Sequence, residues 1–339
     1  MEDILWKVHE RHVVPAMAAA VVSSQGLEKV AAVGIRKWGT DVGVTVDDLW
    51  HLGSNTKAIT STLAAILVDQ GSLDWNSMVS EVFPELASAF HRDFREVSLV
   101  QLLSQVAAVP ENMDYGALGQ YGSVRDQRMR AVRSALCQKP CSIPGTECQY
   151  SNLGYIIVGA MIERCSGMDW ESAVVRHVFL PLGMSSAAFG GLGTPGQIDQ
   201  PWGHKNGYPA KENGPDVDNP PVLGPAGRVH CTIQDWAKFI QDQLRGTRGD
   251  PALLQAHAYQ MLHTPHFGGH YALGWLVTKP DWAGGRLLAH MGSNTLYLAL
   301  VWIAPKLDLA VMVCTNEGLD SLKAAEEAAG QIFRAADRS

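Results

Sequence analysis

Apolar positions form short strand-like runs at both ends of the chain and recur at helical spacing through its middle. Residues 3–12 carry the pattern of an amphipathic helix. After it, "AMAAAVVSS" and "KVAAVGIRKW" read as two strands joined by a turn at Gly26. The middle predicts helices over 54–70, at "LVQLLSQ", over "RDQRMRAVRSALCQ" and over 152–164, with Gly167 near the end of the last. From Gly190 to Gly227 the chain is rich in Gly and Pro and lacks periodicity. That predicts a long loop of the kind that walls or covers a site. Strand patterns return in "HYALGWLVT", "GRLLAHM", "LYLALVWIA" and "LDLAVMVCTN", and a helix over 320–336 closes the sequence. The expected architecture is α+β: an antiparallel sheet built from both termini and flanked by helices, with a mostly helical inserted region. Residues 1–60 and 225–339 would form the sheet region, 61–224 the helical one with its long loop, and the active site would lie at their junction.

One helical stretch breaks the apolar rule. "HLGSNTKAITSTLAAILVDQG" places Ser54 and Lys57 three residues apart, on one face of a segment otherwise fit for burial. A buried lysine is costly unless it sheds its proton or finds partners. A serine hydroxyl is a weak nucleophile until a base takes its proton, and a desolvated lysine is such a base. The bland alternative is a helix cap with a snorkelling lysine.

Two further motifs shift the balance. In "QYSNLGYIIVGAMIE", Tyr150 and Asn152 stand just before another apolar helix. Tyrosine can pass a proton if nearby positive charge lowers its pKa, and Asn152 can bond a carbonyl or the lysine amine. In "LLAHMGSNT", His290-Met291-Gly292 ends a strand, where Gly292 would let a substrate backbone approach. Tyr150 as a core tyrosine and His290 as a packed strand-end histidine are the corresponding structural readings.

Taken in order, these motifs resemble the serine β-lactamase and penicillin-binding protein superfamily, in the class C-like branch with its family VIII-type esterases and D-amino-acid peptidases. Tyr-x-Asn in place of Ser-Asp-Asn points to that branch. "GSLDWNSMVSEVFPEL", "LVQLLSQ", "PGTECQYSNLGYIIVGAMIE", "GPAGRVHCTIQDWAKFI", "YALGWLV" and "WIAPKLDLAVMVCTNEG" fall where that family has similar segments. The resemblance implies a β-lactamase/transpeptidase-like fold, with Ser54 as acylated nucleophile and Lys57 and Tyr150 sharing proton transfer. It further implies that Asn152 positions the substrate carbonyl or Lys57, and that the N–H groups of Ser54 and Ser293 form an oxyanion hole, worth ~3 kcal/mol per donor. Two positions depart from the family pattern. His290 stands where a lysine offers a permanent cation to a substrate carboxylate, whereas histidine is mostly neutral at pH 7. Gln105 and Ala108 stand where relatives carry a histidine and a glycine, so a differently shaped loop is expected.

Composition narrows the partners. The 339 residues are 46% hydrophobic and 18% charged, with a net charge of −7 and no basic stripe, which argues against nucleic acid. "MEDILWKVHERH" lacks the form of a secretory signal, so a cytoplasmic location is expected, and no stretch reads as a membrane span. Cys137, Cys141 and Cys148 lie close enough in sequence for one pair to bridge, although free thiols are the default here. No CxxC, HExxH or GxSxG occurs. His263, His266 and His270 lack a joining carboxylate or cysteine, and "GLGTPG" lacks a following helix; neither a metal nor an organic cofactor is expected. The expected function is hydrolysis of a small ester, amide or peptide through an acyl-enzyme, with carboxylesterase activity favoured. β-Lactamase, D-amino-acid peptidase or DD-carboxypeptidase, acyltransferase and a slowly released β-lactam sensor are the alternatives.

Overall fold

A computed structural model describes residues 1–119, 121–250 and 253–336; residues 251, 252 and 337–339 of the expected 225–339 region, and 120 of the 61–224 region, lie outside it. The strands in chain order are β1 (Ala16–Ser23), β2 (Gly26–Gly34), β3 (Leu49–His51), β4 (Ala188–Phe189), β5 (His204–Lys205), β6 (Tyr208–Pro209), β7 (Val229–Thr232), β8 (Leu276–Thr278), β9 (Leu287–Ser293), β10 (Leu298–Ala304) and β11 (Leu309–Thr315). Six of them form an antiparallel sheet in the order β2-β1-β11-β10-β9-β8, so a strand from each end of the sequence meets at its centre. Both faces are covered along β1, β10 and β11, which is why these three read as nearly unbroken apolar runs rather than alternations. Ala18 and Ala20 of β1 and Met312 and Cys314 of β11 face the large helical layer. Met17, Ala19, Val311 and Val313 face the helices Glu2–His12 and Leu322–Ala336.

Two central helices carry the site. Thr56–Asp69 is buried on every side from Thr56 to Leu67. Asn152–Ser166 is capped by Ser151, whose hydroxyl accepts the Gly154 N–H at 2.8 Å, and is ended by Gly167 at φ 74°. The structure corrects the sequence expectation in three places. Ser54 lies on a 3-10 turn, Gly53–Asn55, before the helix proper. Of "HYALGWLVT" only Leu276–Thr278 is strand, because the chain bends at Gly274 (φ 85°), where a Cβ would fall 2.8 Å from the Ala58 Cα. The 190–227 loop holds the β5–β6 hairpin and two helical turns, Pro221–Leu223 and Gly224–Gly227. A small sheet, β3-β7-β4, and the amphipathic helix Ile233–Thr247 were not foreseen. All six cysteines are free.

Beneath the site, Arg128 is fully buried and bonds both Glu163 and Glu171. It also donates to the carbonyls of Pro221 (3.2 Å) and Val222 (3.4 Å), which fixes the chain just before the Gly224–Gly227 turn. Burial pushes the Glu163 carboxyl up, against the pull of the Arg128 guanidinium. Arg128→Met strands Glu163 without its countercharge and lowers stability by about 3 kcal/mol at neutral pH. In that variant Glu163 takes up a proton on folding, so stability falls as pH rises above the ordinary carboxyl range, and the deficit shrinks in acid. Denaturant midpoints from pH 4 to 8 measure both effects; a loss below about 1 kcal/mol, or one independent of pH, contradicts the account.

Candidate active site

β3 delivers the chain into the Gly53–Asn55 turn, and Gly53 takes φ 50° to make the corner. The end of β9 lies flat against this turn. A Cβ on Gly53 would fall 2.4 Å from the Ser293 nitrogen, and one on Gly292 would fall 2.1 Å from the Leu52 carbonyl oxygen and 2.4 Å from the Ser54 nitrogen. Two facing glycines thus bring the Ser54 and Ser293 N–H groups within a residue's width of each other. The space beside Gly292 is filled by the protein's own Leu52–Asn55 turn, not kept open for a substrate backbone as the sequence suggested. Asn55 ties the turn down by donating to the carbonyls of Leu52 (3.0 Å) and Ala299 (2.9 Å).

Lys57 is completely buried, and burial holds its amine well below the usual lysine range, with the Glu111 carboxylate opposing. Its Nζ lies 2.7 Å from Asn152 Oδ1, 2.8 Å from the Ala226 carbonyl and 3.1 Å from Ser54 Oγ. The first two partners only accept. Once unprotonated, the amine spends both N–H groups on them and turns its lone pair to the serine hydroxyl. The assignment of the Asn152 amide is fixed from its other end, where Nδ2 donates to Asn112 Oδ1 at 3.0 Å.

Tyr150 donates to Ser54 Oγ at 2.7 Å, so the serine accepts from the phenol and is free to donate to the amine. Burial pushes the phenol up to about 12, with the Ser54 hydrogen bond opposing. This corrects the expectation of a cation-lowered tyrosine, because burial dominates and the Glu111 carboxylate adds to it. Gln105 brackets this residue: its carbonyl accepts the Gln149 N–H at 2.7 Å and its side-chain Oε1 accepts the Ser151 N–H at 2.8 Å. Gln105 (φ 63°) and Ala108 (φ 57°) both adopt the left-handed backbone that glycine favours, at ~1 kcal/mol or more each. The loop therefore keeps a glycine-like path without a glycine.

The structure brings His290 near Lys57, but its ring is buried, with Nε2 3.2 Å from the Tyr271 hydroxyl. Burial, followed by the Lys57 charge, drives its pKa down to about 3. Sequence reasoning missed His51, Asp218, Arg228 and Asn294, which form a buried network behind the Gly53–Asn55 turn. His51 lies inside the stretch that drew attention, as a polar residue in an apolar strand entry; Asp218 gave no signal. His263 and His266 are occupied by Gln243 Oε1 and the Met261 carbonyl, and no group of three potential metal ligands occurs among the described residues. Nor, among those residues, is any helix long and apolar enough to cross a membrane.

A serine hydroxyl bonded to both a buried amine and a phenol, on such a sheet-and-helix frame, is the arrangement of a serine hydrolase of the β-lactamase fold. The chain belongs to the beta-lactamase family, whose model matches residues 2–335. It is 28% identical to penicillin-binding protein 4 of Amycolatopsis lactamdurans, over 91% of this chain and 82% of that one. Against unguisins hydrolase ungD' of Aspergillus campestris (strain IBT 28561) it is 25% identical over 93% of its length, spanning 60% of that relative. Among solved structures, SurE with D-Leu superposes with a TM-score of 0.78 at 23% identity, covering 98% of this chain and 74% of that one. The octameric penicillin-binding protein homologue from Pyrococcus abyssi also gives 0.78, at 18% identity, covering 98% and 76%. These two establish the fold.

Proposed function

We propose that Ser54 forms an acyl-enzyme with Lys57 as its base, Tyr150 as the group that returns a proton to the leaving atom, and Asn152 and the Ser54 and Ser293 N–H groups as positioning and oxyanion donors. The preferred substrates are small esters without a carboxylate. The supporting observation is the burial of the pocket's basic groups. Burial holds Lys57 well below the usual lysine range and His290 down to about 3, which weakens the pull of both on a substrate carboxylate. The Glu111 carboxylate acts on Lys57, Tyr115 and Tyr150 from the rim, so the local field repels an anionic substrate. A second reading, cleavage of an amide in a small peptide, draws on the hydrolase relative and on Glu111, which suits a substrate ammonium. Transfer of the acyl group to an alcohol uses the same residues.

The test compares a short p-nitrophenyl ester, a chromogenic cephalosporin and a D-amino-acid amide at pH 7. The ester should exceed the cephalosporin in kcat/KM by at least ~10-fold, which requires only about 1.4 kcal/mol of transition-state preference. A cephalosporin turned over faster than the ester overturns the ester preference while leaving the Ser54 chemistry in place. An amide turned over faster than the ester favours the second reading.

A further inference from the structure

The geometry points to Asp218 as a positioning residue that aligns the two oxyanion donors, acting through His51 on one side and Asn294 on the other. This rests on the acyl-enzyme reading above and adds to it a residue from the 190–227 loop. His51 and Asp218 side chains are wholly buried. The Gly53 N–H donates to His51 Nδ1 at 3.0 Å, which leaves that nitrogen without a proton and places the ring proton on Nε2. Nε2 in turn donates to the Asp218 carboxylate, 3.0 Å from Oδ1 and 3.1 Å from Oδ2. On the other side, Asn294 Nδ2 donates to Asp218 Oδ1 at 2.8 Å, and Asn294 directly follows Ser293. Its own Oδ1 accepts the N–H groups of Leu296 (3.3 Å) and Tyr297 (3.1 Å), which closes the turn after β9. One carboxylate thereby grips the residue before Ser54 and the residue after Ser293.

Every partner of Asp218 is a donor, because Arg228 Nε completes the set at 3.2 Å from Oδ2. Only a group with acceptors alone satisfies all three; an amide must turn its NH2 on one of them. Arg228 also balances the aspartate charge, so the network can sit behind a developing oxyanion without opposing it. The His51 ring stacks on Tyr297, with centroids 6.1 Å apart and planes at 25°, and the Tyr297 hydroxyl donates to the Pro201 carbonyl at 2.9 Å. The imidazole is thus held from its face as well as its edge.

The experiment compares wild type with Asp218→Asn and His51→Phe on the p-nitrophenyl ester, and measures inhibition by phenylboronic acid, whose tetrahedral adduct on Ser54 places an oxygen among the same donors. Both variants should lose ~10²-fold in kcat, with KM changed by less than threefold, and boronate affinity should weaken in parallel. The double variant should be little worse than either single one, since both break one path. Lost thermal stability with kcat and boronate affinity within twofold of wild type would overturn the inference. Should both variants fail to fold, 15N spectra of histidine-labelled wild type still decide: a His51 ring protonated on Nδ1 is incompatible with the network. Failure of the underlying reading looks different, for then wild type itself is neither acylated by ester nor inhibited by the boronate.

Discussion

Ser54→Ala lowers ester turnover by at least ~10⁴-fold and leaves the fold intact. The covalent path needs the Oγ that Lys57 and Tyr150 both address, at 3.1 and 2.7 Å, and no other hydroxyl is bonded to both groups among the described residues. Little stability is at stake. Lys57 keeps Asn152 and Ala226, and the Tyr150 side chain is 38% exposed, so water can accept its hydroxyl proton. Intact mass after treatment with a fluorophosphonate should show one adduct on wild type and none on the variant. Near-wild-type turnover by Ser54→Ala would remove the basis of the whole assignment.

The second large effect belongs to Lys57. Lys57→Met should cost ~10⁴-fold in kcat and Tyr150→Phe ~10²-fold. Because both residues touch the same oxygen, the double variant should fall only a few-fold below Lys57→Met, and fully multiplicative losses would show that they share no proton path. The pH dependence follows from the two directions of shift. Activity should rise with pH as the lysine loses its proton, at a pH below the ordinary lysine value, and Tyr150, pushed up to about 12, should add no descending limb at lower pH. Stability moves the same way. An unfolded lysine binds a proton that the folded one refuses, so folding strengthens as pH rises from the folded pKa toward the unfolded one. Lys57→Met should abolish that slope and be the more stable protein at pH 7, which thermal melts at several pH values would show; an unchanged slope would place its origin elsewhere.

What could be read in advance followed from local spacing. Ser54 and Lys57 are one helical turn apart, and Tyr150 and Asn152 flank a helix cap, so their partnership was legible from residues near one another in the chain. The central strands were legible because a sheet covered on both faces demands continuous apolar runs. "HYALGWLVT" misled for the same reason: Ala272, Leu273, Trp275 and Val277 are buried, but against a bend set by Gly274 and the passing helix. β3 and β7 are too short to show a period. The His51–Asp218–Asn294 network and the carbonyl of Ala226 could not be found by pattern, because each is defined by a tertiary meeting and a backbone carbonyl has no sequence signature. Gln105 was noticed as a departure, but its grip on Gln149 and Ser151, either side of Tyr150, depends on a left-handed backbone that its identity disfavours.

The pairing of β1 with β11 sets an order of events during synthesis. A ribosome releases Ser54 well before Ser293, and the register Met17↔Thr315 cannot form until β11 has emerged. Until then the β1–β2 hairpin lacks its central neighbour, and until β9 is made, the Gly53–Asn55 turn lacks the glycine surface packed against it. Ser54 and Lys57 are therefore made well before the strands that complete their surroundings, and the synthesis of β9 and β11 sets the earliest moment at which the site can take its folded shape.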